Sequence, residues 1–146
     1  MSNINDNLKD VIERNIDACH GYEKAAEKVH NPSLASTFRD QANQRRQFAN
    51  ELQSIANIQG ATSEASGTFE ASLHRTWMDI KTALSSDKDE AVLEECIRGE
   101  KEALDEYNEL VNDASLPRGT SQLIDKQRDT VRHCILDLQR LEDKMD

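Results

Sequence analysis

The chain has 146 residues, of which 32% are charged and 4% aromatic, with only 5 Gly and 2 Pro. That mixture suits long helices and starves a sheet of its usual residues, and the length allows one domain, residues 1–146, with a real core and no disulfides. With 28 acidic against 18 basic residues the formal net charge is −10, which repels phosphate backbones and anionic lipid and argues against nucleic-acid and membrane partners.

The N-terminal MSNINDNLKD has no basic segment followed by an apolar run, and nowhere do about 18 apolar residues follow one another, so a cytoplasmic chain is expected. Apolar residues then recur at three- and four-residue steps from Ile4 through Leu8, Val11, Ile12, Ile16, Cys19, Tyr22 and Ala26 to Val29, which predicts one amphipathic helix. Asn31-Pro32-Ser33 ends it and offers Ser33 as the next N-cap. Leu34, Phe38, Phe48, Ala49, Leu52, Ile55 and Ala56 mark a second helix, followed by a loop over Ile58 to Gly67. Phe69, Leu73, Trp77, Ile80 and Leu84 form the apolar stripe of a short helix that SSDKDE stops. The third long helix runs through Leu93, Cys96, Ile97, Ala103, Leu104, Tyr107, Leu110 and Val111. NDASLPRGTS breaks it, and the fourth carries Leu123, Ile124, Val131, Cys134, Ile135, Leu138 and Leu141. Four long helices, with a short one between the second and third, predict an all-α four-helix bundle of two antiparallel hairpins joined by a crossover.

At about 100° per residue, each polar residue can be placed relative to its helix's apolar stripe. Asn15, Arg45, Glu100 and Gln127 fall near the stripe centres, one on each long helix, and a crossover brings them to within about one or two turns of the same height. The expectation is a polar layer inside an apolar core, with Arg45 neutralising Glu100 and the two amides filling the remaining donor and acceptor positions. The competing placement has Arg45 snorkelling out between helices.

Carboxylate-x-x-His pairs hold dinuclear metals in some helical bundles, and Asp17/His20 and Glu27/His30 have that spacing. Asp17 and His20 lie roughly 130° or more from the centre of the first stripe and are expected in water, whereas Glu23, Glu27 and His30 flank it and remain candidate ligands. His133 with Asp129 points away from the fourth stripe, and His74 flanks the short one, so surface histidines are expected. Cys19, Cys96 and Cys134 all fall on stripes, in no zinc-ligand spacing, and read as reduced, buried fillers. No basic residue stands beside Cys19 or Cys96 on the core face to lower a thiol pKa.

HGYEKAAEKV, QRRQFANEL, LHRTWMDIKTALSSD and LEECIRGEKEALDEY, in that order, resemble a family of bacterial ferritin-like four-helix-bundle proteins of unknown function, over nearly the whole chain. The resemblance implies a ferritin-like bundle, bacterial and cytoplasmic, and related families are associated with stress responses. The chain departs from the metal-binding pattern of such bundles, because Glu51 is followed three residues on by Ser54 where that pattern has His, and the fourth helix has no Glu-x-x-His. The expectation is a non-catalytic bundle without a cofactor that binds a protein or small molecule or assembles as a homo-oligomer, a dimer first, through Phe69, Leu73, Trp77, Ile80 and Leu84. The alternative is a carboxylate-bound dinuclear iron or manganese oxidase, or an iron-handling protein, using Glu23, Glu27 and His30. A thiol-based sensor is the third class.

Overall fold

A computed structural model describes residues 4–58, 85 and 88–145, with side chains from Asn7 to Ile55 in the first stretch. Four helices account for nearly all of these: α1 Ile4–Lys28, α2 Pro32–Ile58, α3 Asp89–Val111 and α4 Arg118–Lys144. No strand occurs among the described residues. The fold is all-α, as composition and periodicity predict. The short helix of the sequence reading, with Phe69, Leu73, Trp77, Ile80, Leu84 and His74, lies outside the described residues.

The turn between α1 and α2 is built from its own polar groups. Asn31 Oδ1 accepts from the backbone N–H groups of Ser33 and Leu34 at 2.8 and 3.1 Å, so Asn31 is the N-cap and Pro32 the first helical residue. This corrects the expectation for Ser33: a proline that needs no N–H donor starts the helix one position before it. The turn is also tied to α3, since the N–H groups of His30 and Asn31 donate to Asp89 Oδ1 and Oδ2 at 2.8 and 2.9 Å. Asp89 and Glu90 place negative charge in the first turn of α3, where the helix dipole favours it. Between α3 and α4, Asp113 Oδ1 accepts from Ser115 N–H and Oγ–H at 2.9 and 2.6 Å.

Helix directions follow from the two apolar clusters of the core. One gathers Tyr22, Ala25 and Ala26 from α1, Leu34 and Phe38 from the start of α2, Val92, Leu93 and Cys96 from the start of α3, and Cys134 and Leu138 from the end of α4. The other gathers Leu8, Val11 and Ile12, then Phe48, Ala49 and Leu52, then Tyr107 and Leu110, then Ile124 and Val131, from the opposite ends of the same helices. Thus α1 runs against α2, α3 runs against α4, and α2 and α3 are parallel. The end of α2 and the start of α3 therefore lie at opposite ends of the bundle, about 40 Å apart for a helix of this length. No described helix is long and apolar enough to cross a membrane.

Candidate functional site

Two apolar clusters form because the middle of the core is polar. Asn15 (3% exposed), Arg45 (1%), Glu100 (0%) and Gln127 (1%) are all buried, each on a different helix, and Arg45 is the bulkiest fully buried side chain described. Arg45 Nη2 pairs with Glu100 Oε2, joining α2 to α3. Nη1 donates to Gln44 Oε1 at 2.8 Å, and the guanidinium lies over the Phe48 ring, 5.3 Å from its centroid. Burial by itself would lower the Arg45 pKa, but the Glu100 carboxylate outweighs it and holds the guanidinium above its ordinary range.

Towards the end of the bundle where Leu52 and Tyr107 pack, a second group of hydrogen bonds connects all four helices. Asn15 Nδ2 donates to Val11 O at 3.0 Å and to Tyr107 OH at 2.8 Å, Tyr107 OH donates to Gln127 Oε1 at 2.6 Å, and Gln127 Nε2 donates to Glu51 Oε1 at 3.0 Å. Tyr107 is the hub, and sequence reasoning counts it only as an apolar residue. Its signal is legible in retrospect: a tyrosine at the centre of a stripe needs a partner for its hydroxyl. Tyr22 makes the same demand at the other side of the layer, where its OH lies 3.7 Å from Cys134 Sγ.

The three cysteines are free and buried. Burial raises the thiol pKa of Cys96 well above its ordinary value, and raises that of Cys134 as well, with the Glu100 carboxylate the next contributor at both. Cys19 is raised too, by burial and then by Glu23, although Arg46 of α2 opposes both through its charge and a hydrogen bond. A basic residue therefore does stand beside Cys19; it comes from the neighbouring helix, outside the stripe on which the sequence expectation was based. All three thiols are expected to label slowly with a maleimide or disulfide reagent in the native state and quickly in denaturant. Rapid native labelling of all three would mean that the core is open at that end.

The residues with metal-ligand spacing are distributed differently. Glu27 and His30 are exposed and Glu23 is partly so, and the Glu23 carboxylate is engaged by Arg46 at 2.8 Å and His20 at 3.3 Å. Glu23 and Glu27 line one groove of about 490 Å³ between α1 and α2, but Arg39 and Asn43 share it and His30 does not. Among the described residues no three His, Cys, Asp or Glu side chains converge in a way that would hold a metal ion. In the layer itself the polar groups are two carboxylates, Glu100 and Glu51, two amides and a phenol around a guanidinium, with Glu100 already paired to Arg45 and Glu51 already accepting from Gln127. That set does not fit a dinuclear site, in which several carboxylates must offset the charge of two cations.

Asp17 is buried, at 1% exposed, where the helical wheel expects it in water, and Glu13 one turn earlier is buried as well. Periodicity registers only faces covered through apolar residues, and here the covered positions outside the stripe are charged. His133 is exposed, its Nδ1 3.0 Å from the Asp129 carbonyl, and the Asp129 carboxylate faces Arg132 at 3.6 Å.

A comparison with curated proteins found no match. The family comparison did, over a stretch that takes in α1, α2 and α3 with Asn15, Arg45, Glu100 and Tyr107, while Gln127 and Cys134 on α4 lie beyond it. The family model matches residues 3–113, more than half of the chain, and the protein belongs to the family described as Domain of unknown function (DUF2383).

Proposed function

We propose that the protein is a non-catalytic, ferritin-like helical bundle that acts by binding or by homo-oligomeric assembly, in the cytoplasm of a bacterium and in a stress context. The observation that carries the non-catalytic reading is the Arg45–Glu100 pair. A fixed guanidinium charge stands at the centre of the bundle, where a dinuclear site would place its cations. The ferritin-like reading is supported by the order of the helices: two antiparallel hairpins with α2 and α3 parallel, which requires one long crossover connection.

Elemental analysis of protein purified from its native host tests this reading. No stoichiometric iron, manganese or zinc is expected. Two tightly bound transition metals per chain, lost on Glu23→Ala or Glu27→Ala, would replace it with the oxidase reading.

Assembly is proposed to run through or beside Phe69, Leu73, Trp77, Ile80 and Leu84, whose stripe is longer than a crossover needs in order to lie on a bundle. The described surface supplies no competing patch, since Leu136, 49% exposed, is its one large exposed apolar side chain. Asp125–Arg128, Asp129–Arg132 and Asp137–Arg140 pairs surround it along α4. A dimer is expected by sedimentation at tens of micromolar, on the order of the concentration that saturates dimers of micromolar or tighter affinity. A strict monomer there would count against assembly.

A further inference from the structure

The Arg45–Glu100 contact uses only half of the geometry available to it. On the guanidinium edge formed by Nε and Nη2, two N–H vectors point the same way, the fork that can meet both oxygens of a carboxylate. Nη2 donates to Glu100 Oε2, and Nη1 is taken by Gln44. Arg45 Nε and Glu100 Oε1 are both shielded from solvent and have no hydrogen-bond partner among the described residues. Nε shares its carbon with Nη2, and Oε1 shares its carbon with Oε2, so the unpartnered donor and the unpartnered acceptor are each one carbon removed from the direct contact.

Gln41, one turn before Arg45 on α2, carries a further shielded acceptor without a partner among the described residues, Oε1. The Phe48 ring lies against the guanidinium, and Cys134 and Tyr22 are close enough to act on its charge, while small buried residues stand within a turn along the pair's own helices: Ala42 and Ala49 on α2, Gly99 and Ala103 on α3. A buried ion pair is tolerated only when the remaining protons and lone pairs of both ions are satisfied. Buried polar groups left without a protein partner are where proteins hold internal water, which typically makes about three hydrogen bonds.

We propose that the polar layer is a binding site for one internal water molecule, which accepts from Arg45 Nε–H and donates to Glu100 Oε1. Gln41 Oε1 is the further buried acceptor on this stretch of α2 for its second hydrogen. The water completes the unused prong of the fork, so the ion pair is bridged on one side and direct on the other. The layer is then hydrated from within, by a molecule held between α2 and α3.

A crystal structure of the unmodified protein, at a resolution that shows ordered waters, tests the proposal. The expected result is a well-ordered water peak within hydrogen-bond distance of both Arg45 Nε and Glu100 Oε1. A closed fork, with Nε donating directly to Oε1, overturns it. So does a dry gap between the two atoms.

Discussion

Stability is expected to fall steeply above about pH 9, by about 2.7 kcal/mol per pH unit from Cys96 and Cys134 alone. Both thiols are held protonated by burial, with folded pKa values well above the ordinary thiol range. The sign follows from proton counting. Above about pH 8.5 the unfolded chain releases these two protons and the folded chain keeps them, so each further pH unit favours unfolding by about 1.4 kcal/mol per thiol. The stabilisation is fully present below the unfolded pKa and is lost as pH rises towards the folded one.

Tyr22 and Tyr107 are raised as well, first by burial, and steepen the fall once the unfolded phenols titrate, above about pH 10. Against a typical total of about 5–15 kcal/mol, the bundle should unfold in alkali without denaturant. Urea unfolding at a series of pH values measures the slope. Cys96→Ala and Cys134→Ala should each remove about 1.4 kcal/mol per pH unit of it between about pH 9 and 10, with any remainder there including the contribution of Cys19, whose thiol is also raised. A wild-type profile flat through that interval would show that the thiols ionise inside the fold, and would revive a thiol-based sensor as the leading reading.

How far the sequence reaches is shown by comparing particular residues. Arg45, Glu100, Asn15 and Gln127 are legible because long helices with clean apolar stripes fix the angle of every residue, although for Arg45 it is its burial at 1% exposed, and not the angle, that rules out snorkelling between helices. The parallel course of α2 and α3 is legible because a whole apolar segment separates them in the chain. Tyr107 as a hydrogen-bonding hub, and the contact of Tyr22 OH with Cys134, are missed because hydropathy counts the rings and not their hydroxyls. Arg46 beside Cys19, and the burial of Asp17, are missed for a different reason. Both depend on what lies against a helix's flank, which no periodicity within that helix encodes.

The strongest single-residue effects are expected at the ion pair itself. Changing Arg45 to Met leaves the Glu100 carboxylate buried without its counter-ion, and changing Glu100 to Met does the same to the guanidinium, so each should destabilise by about 3–5 kcal/mol. Replacing both should recover much of the loss, because two apolar side chains of similar volume need no partner in a core already lined by Phe48, Ala42 and Ala103. Denaturant unfolding of the four proteins gives the coupling directly. A large coupling with a stable double variant assigns the pair to specificity: it joins α2 to α3, the two helices whose connection is longest, and discriminates against rotated or shifted packings much as one buried polar residue fixes register in a coiled coil. If Glu100 served as a metal ligand, its loss would abolish metal uptake, and Arg45→Met would not restore stability. A coupling near zero would mean that Arg45 and Glu100 do not depend on each other, and the main argument against a metal centre in this bundle would fall with it.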